Sequence, residues 1–229
     1  MDKVQFTVYD IFGYLVPGIA MLVGLDLIWK FGLWLIVPAS VVGAGYATLG
    51  AYALGHVLSW PAKMCLQSNI VHKLLGGPVD LLLGDKPKWA PCKVVKWVFP
   101  EYFDDLPKSI IKGIEKKREV DGHKLGNHAL KEHAYAVVKG TEDTRSRTDL
   151  FQVLYGYARN LSFTLAVVGL IAIVKGILTK DWPNGLLIIV PLVISAAMFV
   201  RFLKFYREYA KELLLSFYGM KETAETEED

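Results

Sequence analysis

The chain is poor in cysteine, with only Cys65 and Cys92 among 229 residues and no pairing pattern around either. That excludes a disulfide-stapled scaffold, and both are read as reduced thiols. A cleaved secretory leader is not expected either. Residues 1–10 carry two acids and one lysine, and no small-residue cleavage site follows the first apolar run. That run is therefore expected to be retained. No nucleophile elbow, phosphate loop or carboxylate pair is present, so nothing in the sequence supports an enzyme. No internal repeat is visible, and no segment alternates apolar with polar residues as a strand pair would. His123, His128 and His133 recur every five residues, which scatters them around a helix, and no cysteine lies nearby. Neither a metal nor another cofactor is expected.

Charge is scarce in a patterned way. Four stretches, 11–29, 33–58, 161–178 and 185–200, are almost free of it, although about half of the whole chain is apolar. A helix needs roughly 20 mostly apolar residues to cross the hydrocarbon core. The last stretch gains length from Phe202, Leu203 and Phe205. The connectors between the paired stretches hold few basic residues, Lys30 in one and Lys180 (offset by Asp181) in the other. The remaining flanks hold Lys63, Lys73, Arg145, Arg147, Arg159, Arg201, Lys204, Arg207 and Lys211. Basic flanks favour the cytoplasm. The expected protein is all-α and integral to a membrane. Its four transmembrane helices enclose a helical cytoplasmic domain between spans two and three, and both termini are cytoplasmic. Trp29, Trp34 and Trp182 stand at the outer connectors, where an aromatic belt places them.

The expected divisions are a transmembrane hairpin at 1–60, a basic cytoplasmic domain at 61–159, a second hairpin with a cytoplasmic helical extension at 160–217, and an acidic disordered tail at 218–229. Between Pro61 and Arg159 there are 17 basic and 12 acidic residues, a surplus of five. Such a surface suits lipid head groups, and equally an anionic ligand or nucleic acid. Pro17-Gly18 predicts a kink or an unwound turn in the first span. Pro38 and Pro191 are read as marking the starts of the second and fourth spans. Residues 61–75 should continue the second span, 106–119 and 125–139 should form amphipathic helices, and 144–159 should run unbroken into the third span.

Three constellations stand out. The second span carries small residues every four positions: Ala39, Gly43, Ala47, Ala51 and Gly55. Small residues let backbones approach, which drives association in lipid. The stripe suits close packing within or between subunits, or a pore lining. Next come charges inside the spans, costly in hydrocarbon unless functional or snorkelling to the interface. Asp26 and Lys175, towards the outer ends, are placed to pair. Asp10, His56, Arg159 and Arg201 form a second charged layer at the inner ends. The third is the continuation of the last span, where Phe202, Phe205, Tyr206, Tyr209, Leu213 and Phe217 make an apolar stripe beside Arg201, Lys204, Arg207 and Lys211. It either lies on the membrane surface or stands as a stalk against the central domain. For an anionic ligand the candidate residues are Lys116, Lys117 and Arg118 at one helix end, with Arg145 and Arg147 leading into the third span.

The string Tyr9-Asp10-Ile11-Phe12-Gly13-Tyr14-Leu15-Val16-Pro17-Gly18 is similar to a Tyr-Asp-x-x-Gly-Tyr-x-x-Pro-Gly opening. Residues 201–217 are similar to an Arg-x-x-x-Phe-Tyr-Arg-x-Tyr-x-x-Glu stretch after a last span. Tyr52-x-x-Gly55-His56 and Tyr157-Ala158-Arg159-Asn160 look like two further matches, and Leu83-Gly84-Asp85 is a weak one. On these strings the chain resembles bacterial four-span membrane effectors of anti-phage defence, such as the membrane component of the Hailong system or of cyclic-oligonucleotide systems. The resemblance implies a homo-oligomeric channel or pore that permeabilises the membrane. It also implies a controlling nucleotide or oligonucleotide made by a partner nucleotidyltransferase. The competing expectations are a constitutive small-ion channel or transporter, and a non-conducting scaffold that recruits a soluble enzyme. No carboxylate sits near a midplane, which counts against a proton-coupled transporter.

Overall fold

The computed structural model describes residues 11–32, 41–85, 96–97, 99–120, 126–138 and 142–225, with backbone alone at 41, 119–120, 128, 142–146 and 220–225. Ala39, Asp10, Trp34, Pro38, Cys92 and His123 lie outside the described residues. Every regular element within them is helical. Three helices, Ile11–Trp29, Arg147–Thr179 and Leu186–Gly219, are long and apolar enough to cross a membrane. The second apolar stretch is described only from Val41 onward and is not one of those three.

Helix α1 (Ile11–Trp29) opens with π-type winding at Ile11–Leu15 and turns α-helical from Val16. Pro17 falls in the first turn of the α-helical part, where its missing N–H costs little. The irregularity expected at Pro17-Gly18 therefore sits one turn earlier. Lys30 ends α1 in the left-handed region (φ 56°), its N–H donating to the Asp26 carbonyl at 2.7 Å.

Helix α2 (Val41–Ala62) carries Pro61 inside it and continues as π-type winding through Lys63–Leu75. The continuation expected for 61–75 is thus present, in a wider winding. Proline removes a ladder bond and crowds the preceding turn, which opens the helix where the winding changes. The segment closes at Gly76 (φ 97°), whose N–H bonds the Val71 carbonyl at 2.8 Å. A short α3 (Pro78–Leu82) and a 3-10 turn (Pro100–Phe103) precede α4 (Lys108–Val120) and α5 (Asn127–Val138). Helix α6 (Glu142–Thr179) runs unbroken, as expected for 144–159 and the span beyond. In α7 (Leu186–Glu225), Pro191 lies inside the helix, past the first turn where it was expected.

The chain divides into two compact units, 1–68 with 153–202 and 69–152 with 203–229. Both are discontinuous in sequence, because α6 and α7 each contribute to both. The first unit is centred on Met21, Ile28, Leu58, Val168 and Ala172, with Leu25, Leu54, Phe163 and Ile188 packed around them. The second buries Tyr102, Ile114, Leu130, Val138, Tyr206, Leu213 and Phe217. The apolar stripe of α7 from Leu203 onward is therefore packed inside a helical unit, as the packed alternative required.

Candidate functional site

Strings separated by up to 147 residues meet within the first unit. Gly13 and Tyr14 lie in the π-type opening of α1. The Tyr14 ring stacks on His56 (centroids 3.7 Å apart, planes 16° apart), and Tyr52 meets both edge-on at 6.2 and 4.6 Å. Tyr52 and His56 are four residues apart on α2, hence on one helix face. Between them in sequence, Gly55 has no side chain for a physical reason: a Cβ there would stand 1.9 Å from the Tyr14 carbonyl oxygen. Gly18 does the same one turn along α1, where a Cβ would stand 1.7 Å from the Ala51 carbonyl oxygen. Two members of the small-residue ladder, Ala51 and Gly55, thus pack within one chain, against α1. Gly43 and Ala47 are half-buried.

Asn160 and Arg159 complete the cluster from α6. The Asn160 amide donates to the Gly13 carbonyl at 2.8 Å. The Arg159 guanidinium donates to Asn160 Oδ1 through Nε and NH2, at 3.1 and 3.0 Å, and to Gln67 Oε1 at 2.7 Å. Arg159, Asn160 and Gln67 are all buried. Guanidinium stays charged, and its fixed fork of donors suits two acceptors at once. Phe12 meets Tyr157 edge-on at 5.8 Å beside it. Of the expected inner charged layer, Asp10 lies outside the described residues, His56 is exposed and stacked, Arg159 is buried beside Asn160 and Gln67, and Arg201 is exposed.

At the other end of α1, Lys175 donates to the Ile28 carbonyl at 3.0 Å and to the Asp181 carboxylate at 3.2 Å. The tie expected through buried Asp26 is made two residues along, to a main-chain oxygen. Helices α6 and α7 are pinned by two serines that donate to each other's carbonyls, Ser162 to Ser195 at 2.9 Å and Ser195 to Ser162 at 2.7 Å. Ser162, Gly169 and Gly176 recur every seven residues on α6. A Cβ at either glycine would press on Leu192 or Trp182. Heptad spacing of small residues is the signature of a shallow, close helix crossing.

The proposed anion contacts have the following surroundings. Lys116 is exposed. Lys117 bonds the Phe217 carbonyl and lies over the Phe217 ring, 4.3 Å from its centroid. Arg118 approaches Asn127 at 3.5 Å and lines a cavity of about 180 Å³ with Leu83, Asp85, Ile114, Glu115, Asn127 and Leu130. Asn127 fastens Asp80 and Asp85 through its amide nitrogen, at 2.9 and 3.0 Å. Arg147 pairs loosely with Glu212 at 3.9 Å, and Arg145 is described by its backbone alone. His133 meets Phe217 edge-on at 5.7 Å, and the described residues hold no group of three metal-ligating side chains.

Lys131 was not foreseen. Its ammonium lies over Tyr206 and Tyr209, at 5.5 and 5.8 Å, and burial holds its pKa below the ordinary lysine value, against the opposing pull of Glu132. Gln67 was missed as well, and Asn160 and Gly18 were noted only as members of strings, with no role assigned. Asn160 also opens an Asn-Leu-Ser pattern resembling a glycosylation acceptor, and both polar residues of that pattern prove buried and bonded. Compared with known proteins, the chain matches no family model, no curated protein and no solved structure.

Proposed function

We propose that this chain is one subunit of an oligomeric channel or pore in the bacterial inner membrane, gated by a nucleotide or oligonucleotide and acting in phage defence by membrane disruption. In this reading it crosses the membrane four times, with both termini and the second unit in the cytoplasm. One observation supports it above others: α6 and α7, both apolar enough to span, each supply residues to the second unit as well. A ligand held by that unit therefore acts on helices that are themselves spans. Its effect is limited to its difference in affinity for the closed and open states. The ligand contacts of this reading are Lys116, Arg118, Arg145 and Arg147. Lys117 is already engaged with Phe217.

The test is ion flux from vesicles of phosphatidylethanolamine and phosphatidylglycerol containing the purified chain, with and without short anionic oligonucleotides. Flux should change severalfold on addition, the effect should weaken as salt rises through counterion release, and charge reversal at Arg118 and Arg147 should remove it. Flux indifferent to the oligonucleotide would identify a constitutive channel. Absence of flux under every condition would favour a scaffold.

A further inference from the structure

The exposed surface of α2 differs from that of the three helices apolar enough to span. Every exposed side chain of α1, of α6 from 161 to 178 and of α7 from 186 to 200 is hydrophobic. The serines and threonine of those stretches, Ser162, Thr164 and Ser195, are buried. On α2 the order is reversed. Thr48 and His56 are exposed, and Tyr52 and Ser59 are half-buried. Thr48 alone would be tolerable in lipid, because its hydroxyl returns to the Ala44 carbonyl at 2.9 Å. An exposed imidazole is costlier there.

The polar groups are also confined to one sector. At 100° per residue, Thr48, Tyr52, His56 and Ser59 fall within about 80° of the helix circumference, with Gly45 among them. Lys63 continues the line just past the end of α2. Thr48, His56, Ser59 and Lys63 are all the serine, threonine, histidine and lysine residues between 42 and 63. The adjoining sectors are unlike this one. Ala51, Gly55 and Leu58 are buried on one side, and Leu49, Val57 and Trp60 are exposed on the other. At 1.5 Å per residue the sector runs about 21 Å from Gly45 to Ser59, roughly two thirds of a hydrocarbon core. Its charge has one sign, since no Asp or Glu occurs between Asp26 and Asp80.

We propose that this sector of α2 is the wall of the ion path, and that the path carries small inorganic anions such as chloride. The proposal rests on the oligomeric channel reading above, in which copies of the chain surround water that one copy alone cannot enclose. Hydroxyls, an imidazole and the Lys63 ammonium supply hydrogen-bond donors and positive charge, as an anion pore requires. The sector holds no carboxylate to repel an anion. The small-residue ladder is not the wall, because Ala51 and Gly55 are packed on α1.

The experiment uses the full chain in phosphatidylcholine vesicles, with Cys65→Ser and Cys92→Ser and one new cysteine. Thr48→Cys and Ser59→Cys stand in the sector, whereas Leu49→Cys and Val57→Cys are exposed but lie outside it. Methanethiosulfonate reagents attack the thiolate, which forms in water and not in hydrocarbon. Positions 48 and 59 should react on the order of tenfold faster than 49 and 57, because only the sector is wet. Position 48 should also react faster with a sulfonate reagent than with a trimethylammonium one. Equal rates at all four positions overturn the wall, and if such vesicles still conduct, the channel reading survives without it. Fast labelling at 59 alone overturns it too, since Ser59 would then touch only surface water. Under a chloride gradient the reversal potential should lie near the chloride equilibrium value, and Lys63→Glu should move it towards the cation value. An unmoved potential in that variant, or faster labelling of position 48 by the cationic reagent, overturns the anion assignment. Sector-selective labelling in vesicles that never conduct overturns the ion path together with the channel reading.

Discussion

The two units of this molecule are held together in opposite ways. In the first, the closest contacts are made by what side chains leave out. Gly18 faces the Ala51 backbone, Gly55 faces the Tyr14 backbone, and two serines exchange bonds across a helix crossing. In the second, the centre is filled by large side chains, with Tyr102, Tyr206, Phe217, Ile114 and Leu213 all fully buried. On the reading proposed above, the difference follows the solvent around each unit. Lipid gives apolar helices no hydrophobic reason to associate, so close backbone approach and hydrogen bonds must supply the attraction. Water rewards removal of apolar area at about 25 cal/mol per Å², which favours bulk. One chain thus uses two packing rules, changing between them within single helices.

The strongest way to break this comparison is to add bulk where the first rule forbids it. Gly18→Val and Gly55→Val each push a side chain onto main-chain atoms that have no rotamer with which to yield. The cost should exceed the roughly 3 kcal/mol of ordinary overpacking. The expected outcome is loss of folded, detergent-stable protein by size-exclusion chromatography and circular dichroism. Gly45→Val and Gly50→Val, at positions with nothing within 4 Å, should be tolerated. Equal tolerance at all four positions would show that close backbone approach does not hold the first unit.

Removing bulk tests the second rule. Phe217→Ala empties the space under His133 and takes away the ring beneath Lys117, and it should destabilise by about 3–5 kcal/mol. Chemical denaturation read by tryptophan fluorescence and by proteolysis of residues 69–152 should report it, while α1 and α2 stay protected. A uniform loss of protection would mean that the two units unfold as one.

The smallest effect sharpens the contrast by pH. Burial lowers the pKa of Lys131, the unfolded chain restores it, and so the unfolded state binds more protons between the two values. Stability of the second unit should therefore rise as pH climbs through that window. Lys131→Met should remove this part of the rise and slightly stabilise the unit at neutral pH. A steeper rise in the variant would reverse the sign assigned to burial.

Much of this was legible in the sequence because it rests on period and composition. The helical class, the long α6 and α7, the α7 stripe and three of the apolar stretches follow from runs and spacing. The meeting of Tyr14, Tyr52, His56, Arg159 and Asn160 was hinted at by strings singled out one by one, but no local rule places residues 13 and 160 together. The π winding of Lys63–Leu75 was hidden for another reason. Its burial spacing of four to five becomes a signal only once one knows that the segment is not α-helical. The tie from Lys175 was misplaced because a main-chain carbonyl leaves no trace in a sequence, whereas an aspartate two residues away does.

The discontinuity of the second unit also has a consequence in time. Residues 69–152 leave the ribosome without Tyr206, Leu213 and Phe217, which fill their centre. At 5–20 residues per second, the 50 residues from 153 to 202 alone take roughly 3–10 s to make. Throughout that interval the earlier segment has apolar faces with nothing to cover them. The unit closes only when α7 is almost finished. Synthesis that stalls within α7 would therefore yield a membrane-inserted chain whose second unit stays open, a natural substrate for chaperones and proteases.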